Sequence, residues 1–235
     1  MFQKVMELLY PPRCPLCGDI VMPRGEFACP ECRLTAPYVV EPKCQKCGKP
    51  LQVEENEYCN DCGVREHCYD KGLALFEYDD MVKQSIYRFK YENKREYAAF
   101  YGVEIAKRLG HEVIAWDADV IIPIPLHKSR LRTRGYNQSQ LIAARVGREL
   151  SIPVCSDLVI RQKKTIAQKQ LNHIERQNNL KRAFKLVRND VKLKTIILID
   201  DIFTTGSTLD SMAYELKHSG VSNVYFITLA SGEGI

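Results

Sequence analysis

The stretch that decides the fold is TIILIDDIFTTGST, residues 195–208. Its first part, Thr195 to Ile199, shows no polar alternation, which predicts a strand buried on both faces of a sheet. Two carboxylates follow, then a short polar loop, and then an amphipathic helix from about Thr208 to His218. Ligands of open α/β folds bind at the carboxyl ends of the strands, so the pattern predicts a binding site after Ile199.

The residue types of this loop suit an anion. Gly206 allows close approach of the backbone, and the start of the following helix offers free N–H groups and a positive dipole end. The hydroxyl donors are Thr204, Thr205, Ser207 and Thr208. The loop therefore predicts a phosphate site.

The two carboxylates, Asp200 and Asp201, have the wrong charge for a phosphate, but they suit sugar hydroxyls or a hydrated Mg²⁺ that the ligand carries. Together with the loop they indicate a ribose 5-phosphate site. A simple capped helix after a strand would explain the threonines and the glycine but not the paired aspartates. The Gly-Lys-Ser/Thr end of a Walker A loop is absent.

Apolar runs and helical patterns alternate along the rest of the second part of the chain. Strands are predicted at 73–78, 119–125, 158–161 and 224–229, and helices within 81–109, at 137–150 and at 174–184. Alternation of this kind predicts an α/β fold with a mostly parallel, doubly wound sheet. The composition changes near Gly72, so we expect a small module over residues 1–70 and the α/β domain over 71–235.

Eight of the ten cysteines form four Cys-x-x-Cys pairs in the first part. They are Cys14/Cys17, Cys29/Cys32, Cys44/Cys47 and Cys59/Cys62. Two pairs supply four thiolates for one tetrahedral ion, so the spacing predicts two structural Zn²⁺ sites in a zinc ribbon. The equal 15-residue period leaves the pairing open between adjacent knuckles and an interleaved cross-brace. His67 or Cys68 could replace a ligand, although ordinary linker roles are favoured.

The charge of the chain is unevenly distributed. From His127 to Lys194 there are 17 Lys or Arg against 4 Asp or Glu, so this segment carries a net charge of +13. Since the whole chain carries +5, the rest of the chain carries −8. Partners that carry phosphates are the natural inference. The sequence shows no apolar stretch long enough for a membrane span. Residues 1–10 lack a charged start and a small-residue cleavage site, so we expect no secretory signal and, with the Cys-x-x-Cys pairs, a cytoplasmic protein.

Residues 196–209 closely resemble the phosphoribosyl diphosphate (PRPP) motif of type I phosphoribosyltransferases. By this resemblance Asp200 and Asp201 contact the ribose hydroxyls as the catalytic candidates, and residues 204–208 hold the 5-phosphate. Segments 123–125 and 130–138 further resemble the pyrophosphate-side loop of the ComF family, as do the spacings of later residues and the four knuckles. The later residues are Thr165, Gln168, Leu171, Arg176, Asn179 and Phe184.

The resemblance to the ComF family implies a role in natural competence and DNA uptake, with PRPP and Mg²⁺ at the loop. The PRPP-binding candidates outside the loop are Arg130, Arg132, Arg134 and Gly135, and Lys163 or Lys164 could close over the pyrophosphate. A competence helicase is an implied partner. If the domain is a transferase, a nitrogen base displaces pyrophosphate at C1; whether turnover occurs, and with which base, stays open.

The competing interpretation is a binding module for single-stranded DNA that uses the PRPP site for sensing or not at all. The basic segment supports it, because cationic side chains release counterions from a phosphate backbone. Tyr87, Phe89 and Tyr91 also alternate with basic residues in a pattern that could stack bases. An amphipathic helix with an apolar core face is the simpler explanation of that stretch, and we prefer it.

Overall fold

The computed structural model describes residues 11–162, 183–187 and 193–232. Its strands are β1 (Lys71–Glu77), β2 (Val120–Pro123), β3 (Val159–Arg161), β4 (Phe184–Leu186), β5 (Thr195–Phe203) and β6 (Asn223–Ser231). Four of them form a parallel sheet in the order β1-β6-β5-β2, and β3 pairs antiparallel with β4. The run of apolar residues in β5 is fully buried, as its lack of alternation predicts.

Helices cover both faces of the sheet. They are α1 (Pro30–Thr35), α2 (Asn60–Val64), α3 (Asp80–Tyr91), α4 (Tyr97–Ala115), α5 (Lys128–Arg134), α6 (Gln138–Leu150) and α7 (Ser207–His218). Residues of α3, α4 and α6 share one core with Ile197 and Ile199. Residues of α7, β3 and β4 share the other core with Ile196 and Leu198. The predicted α/β class with a mostly parallel, doubly wound sheet is confirmed.

The cysteine-rich module packs against both cores of the α/β domain. Cys14 and Leu16 lie in the first core, while Cys44 and Cys47 lie in the second. On the first side, the Arg88 guanidinium of α3 donates to the carbonyls of Pro15 and Leu16 at 3.0 and 2.9 Å. The two halves of the module are therefore attached to opposite faces of the sheet. The division of the chain at residue 70 stays a prediction.

Several element predictions need correction. The cysteine-rich module contains two short helices for which the sequence shows no helical pattern, and α1 and α2 begin directly after Cys29 and Cys59. The arginine-rich segment, expected as a loop, forms α5, since His127 caps its start and Gly135 ends it at a φ of +79°. A helix reaching Phe184 is wrong at that end, because Phe184 begins β4; residues 174–182 lie outside the described ranges.

Within the described ranges, no helix is long and apolar enough to cross a membrane.

Candidate functional site

The carboxyl end of β5 runs past its neighbour on one side only. Pro123, the last residue of β2, pairs with Ile199, whereas β6 pairs with β5 as far as Phe203. Asp200 and Asp201 therefore lie beyond the end of β2, on a strand that β6 still supports. The prediction that β5 ends at Ile199 was too short, because this extension depends on pairing with β6.

The loop after β5 has the backbone geometry of an anion site. Gly206 is the N-terminal cap of α7 with φ +70°, in the left-handed region that favours glycine. A Cβ at this position would lie 2.9 Å from Cε2 of Phe203, so the site also excludes a larger residue sterically. The free N–H groups of the first turn of α7 are directed toward the loop.

The hydroxyl side chains of this loop are half-buried, and two of them contact each other. Thr205 Oγ1 donates to Ser207 Oγ at 3.1 Å. Thr204 and Thr208 are half-buried as well, so the structure brings all four predicted hydroxyl donors to one loop. Residues 204–208 can thus surround a phosphate with backbone N–H and hydroxyl donors.

Electrostatics reduce the negative charge of the aspartate pair. Burial, and then the neighbouring Asp201 carboxylate, raise the pKa of Asp200 to about 7, against the lowering effect of the Asp201 N–H. That N–H donates to Asp200 Oδ1 at 2.8 Å, and Ser139 Oγ donates to the same oxygen at 3.3 Å. Asp201 instead forms an ion pair with Lys90 Nζ at 2.8 Å. Near neutral pH the pair is therefore less repulsive to a phosphate than two free carboxylates.

Sequence reasoning missed three residues that reach this pair from distant segments. Lys90 comes from α3 and Ser139 from the first turn of α6. Arg161, on β3, lies close enough to Asp200 and Arg130 to interact with both. Burial, and then the positive charge of Arg130, lower the pKa of Arg161, whereas the negative charge of Asp200 raises it. None of these pairings is local in sequence, so no motif could signal them.

The predicted pyrophosphate-side residues occupy α5 and its end. Arg130 and Arg132 are exposed; Arg130 lies near Arg161, and no described contact brings Arg132 to the aspartates. Arg134 donates to Gln138 Oε1 at 2.5 Å and lies over the Tyr91 ring. Gly135 is exposed, and its positive φ lets the chain turn from α5 into α6. The structure thus places Arg130 near Arg161, which itself lies near Asp200, and Arg134 against α3.

The remaining family-pattern residues mostly cannot be placed. Lys163, Lys164, Thr165, Gln168, Leu171, Arg176 and Asn179 lie outside the described ranges. Phe184 is described, and its ring lies under the Arg161 guanidinium at 5.5 Å.

The cysteines form two groups of four, built from adjacent knuckles. The groups are Cys14, Cys17, Cys29, Cys32 and Cys44, Cys47, Cys59, Cys62, with the four sulfurs of each group within 4.8 Å of one another. A tetrahedral ion with Zn–S bonds of about 2.3 Å requires sulfurs about 3.8 Å apart. The Cys17–Cys29 and Cys47–Cys59 sulfurs are 4.0 and 3.7 Å apart. The donor set therefore fits zinc at both sites.

His67 and Cys68 belong to neither group. His67 Nδ1 lies 2.6 Å from Asp210 Oδ2 of α7, and the Cys68 N–H donates to Asp210 Oδ1 at 2.9 Å. The interpretation of these residues as linker residues is thus supported, although their partner is the helix that follows the phosphate loop.

Comparison with known proteins finds a matching protein family for each of the two parts of the chain. A family model described as "Double zinc ribbon domain" matches residues 5–63, and one described as "Phosphoribosyl transferase domain" matches residues 137–234. Similar solved structures include a hypoxanthine phosphoribosyltransferase from Staphylococcus aureus (16% identity, 57% of this chain and 64% of that one, TM-score 0.36). A purine phosphoribosyltransferase from Pyrococcus horikoshii is 21% identical over 59% of this chain and 72% of that one, with a TM-score of 0.31.

Three curated relatives cover most of the chain. Competence protein F of Haemophilus influenzae is 35% identical over 197 residues, which is 80% of this chain and 84% of the relative. Competence protein ComFC of Bacillus subtilis is 29% identical (83% and 80%), and DNA utilization protein YhgH of Escherichia coli K12 is 27% identical (77% and 80%). The chain therefore belongs to the ComF family of competence and DNA utilization proteins, with a double zinc ribbon followed by a phosphoribosyltransferase domain.

Proposed function

We propose that this protein binds PRPP, or a closely related ribose phosphate, with Mg²⁺, and acts in competence and DNA uptake in the cytoplasm. The observation that carries the proposal is the joint position of Asp200, Asp201 and the Gly206-capped loop at one end of β5. A phosphate on residues 204–208 leaves the ribose hydroxyls within reach of the carboxylates.

The charges around the site agree with a ligand that has two anionic ends. The loop offers neutral N–H and O–H donors for the 5-phosphate, whereas the cationic Arg130 and Arg161 lie on the Asp200 side, where a pyrophosphate would extend. Mg²⁺, when bound, would neutralise pyrophosphate oxygens and hold the ribose hydroxyls near the carboxylates. Arg130 is thus the first of the predicted arginines to test.

The same arrangement supports transfer of the phosphoribosyl group to a nitrogen base. The protein residues would hold C1 in line between the base and the departing pyrophosphate, and the cations would stabilise the charge that develops on that leaving group. Asp200 and Asp201 would fix the ribose while the C1–O bond breaks. These roles come from positioning and electrostatics, so a base of suitable shape is the only further reactant required.

Calorimetric titration of zinc-loaded protein with PRPP, with and without Mg²⁺, tests the proposal. We expect saturable binding that is at least about tenfold weaker, or about 1.4 kcal/mol, in the Asp200→Asn/Asp201→Asn double variant. Ribose 5-phosphate is the control ligand, because it keeps the loop contact and lacks the pyrophosphate. Pyrophosphate release in the presence of individual bases then tests turnover. Equal binding by wild type and double variant would overturn the proposed site.

A second candidate function, single-stranded DNA binding, is favoured by one surface on α3. Tyr87 and Tyr91 are 57% and 64% exposed, and their ring centroids are 5.0 Å apart. Arg134 lies 5.1 Å from the Tyr91 centroid. Phe89, which the sequence interpretation grouped with them, is fully buried in the core and cannot stack on a base. We propose the Tyr87–Tyr91 pair as the stacking surface for unpaired bases.

Base stacking on an aromatic ring contributes about 1–3 kcal/mol per base. Tyr91→Ala should therefore weaken binding of a fluorescent oligothymidine at least about fivefold, with little change in salt dependence. Tyr214→Ala, which removes another exposed tyrosine (42%) from α7, is the matched control. Equal affinities for the two variants would exclude this surface. The described contacts single out no surface of this protein for a competence helicase, so that partner stays a prediction.

A further inference from the structure

Residues 67–70, which we name the strap, join the second four-cysteine site to the phosphate loop. His67 and Cys68 bind Asp210 in the first turns of α7, as described above. At the other end, Asp70 accepts hydrogen bonds from Lys217 Nζ at 2.8 Å and from the Val224 N–H at 2.7 Å. The strap is thus fastened along the whole length of the helix whose N-terminus forms the loop.

Tyr69 is the centre of this connection. Its ring is fully buried, stacks on His67 at 4.7 Å, and meets Phe226 edge-on at 4.7 Å. A Cβ on Gly206 would lie 3.4 Å from Tyr69 Cε1, so the ring also lies against the cap of α7. The Tyr69 ring therefore packs against the residue that joins the phosphate loop to α7.

The hydroxyl of Tyr69 points to the second four-cysteine site. It is buried and has no hydrogen-bond partner among the described residues, and Tyr69 lies in one core with Cys44, Cys47 and Cys59, against which Cys62 packs. Thiolates that bind a metal commonly accept hydrogen bonds from surrounding donors. The Cys62 sulfur is the natural acceptor for this buried O–H once zinc holds the thiolate.

We propose that His67, Tyr69 and Asp210 are positioning residues through which zinc binding at the Cys44–Cys62 site orders the phosphate loop. The effect on PRPP rests on the proposed function, whereas the structural coupling does not. The first four-cysteine site, which packs on the opposite face of the sheet against α3, does not share this connection in the described contacts. By linkage, PRPP must strengthen zinc binding at the second site by the same factor as zinc there strengthens PRPP binding.

Amide hydrogen exchange of residues 203–209 tests the coupling without any ligand. Cys62→Ser and Cys32→Ser are matched variants, because each removes the last, half-buried cysteine of one site. We expect exchange of the loop to rise at least about tenfold in Cys62→Ser and to stay near the wild-type rate in Cys32→Ser. Equal rates in the two variants would overturn the proposal.

Asp210→Ala tests the strap while both zinc sites keep their ligands. Alanine is the best helix former, which offsets the loss of a first-turn carboxylate worth about 0.3–1 kcal/mol at the start of α7. Glu215→Ala removes a carboxylate from the same helix and is the control. We expect faster loop exchange and at least about fivefold weaker PRPP binding for Asp210→Ala only. Tyr69→Phe should speed zinc transfer from the second site to a chromogenic chelator. PRPP should protect the second site from this loss of zinc in wild type but not in Asp210→Ala.

The outcomes separate the two proposals. If wild-type protein fails to bind PRPP, the proposed function is wrong, and the exchange comparison still decides the coupling. If PRPP binds with equal affinity to wild type, Asp210→Ala and Glu215→Ala, the strap has no positioning role.

Discussion

Replacement of Asp200 by asparagine should stabilise the protein at high pH. The pKa of this carboxyl is raised from its ordinary value of 3.8 to about 7, first by burial and then by Asp201. Because the folded-state pKa lies above the unfolded value, the stabilising contribution of protonated Asp200 is complete below about pH 4. It is lost as pH rises through about 7. Above that pH the fold holds an ionised carboxylate where the neutral form is preferred.

The size of the effect follows from the shift. About three pKa units at 1.36 kcal/mol each give up to about 4 kcal/mol at pH 8. Asparagine has nearly the shape of aspartate and keeps an oxygen for the Asp201 and Ser139 donors. We therefore expect Asp200→Asn to exceed wild type in free energy of unfolding by as much as about 4 kcal/mol at pH 8, with the difference vanishing toward pH 4.

Urea unfolding at several pH values, at one fixed free zinc concentration, measures this difference. Zinc binding also depends on pH, but it contributes equally to both proteins and cancels. Asp201→Asn is the comparison variant: it removes the 2.8 Å ion pair with Lys90, worth about 1 kcal/mol, and also the carboxylate that helps to raise the pKa of Asp200. Its gain over wild type at pH 8 should therefore be smaller than that of Asp200→Asn. A difference for Asp200→Asn that is independent of pH, or that favours wild type at pH 8, would refute the reasoning.

Two further predictions concern the loop and the zinc sites. Gly206→Ala should weaken PRPP binding at least about tenfold by calorimetry and should lower stability more than Gly220→Ala. Both glycines have a positive φ, but only a Cβ on Gly206 would meet a neighbouring ring. Equal effects of the two substitutions would contradict this account of the loop. Metal analysis should find two zinc ions per chain and one in Cys47→Ser, since the two groups share no ligand; loss of both ions, or of neither, would argue against independent sites.

The sheet was predictable because its central strand has a distinctive sequence pattern. The apolar run of β5 has no alternation, and strands of this kind are buried on both faces. Two knuckle groups were predictable from spacing, but their pairing was not, because one 15-residue period fits both arrangements. The structure decides for adjacent knuckles, and each site begins with a local bridge: Arg13 with Ile20, and Lys43 with Pro50.

The surroundings of the aspartate pair were not predictable, because they depend on contacts between distant segments. Lys90 reaches Asp201 and Ser139 reaches Asp200 only after the helices pack on the sheet. For Tyr87, Phe89 and Tyr91 the preferred interpretation, an amphipathic helix with an apolar core face, is confirmed, since Phe89 is buried and both tyrosines are exposed. Helical periodicity places residues four apart on one face and the residue between them on the opposite face, as the structure shows.

The central claim, that the β5–α7 loop holds the 5-phosphate of PRPP, is tested most directly by a crystal structure of the zinc-loaded protein with Mg²⁺ and PRPP. The account predicts the 5-phosphate on the backbone N–H groups of residues 204–208 and the ribose hydroxyls on Asp200 and Asp201. An empty loop at saturating ligand, or PRPP bound only to the arginines of α5, would contradict it.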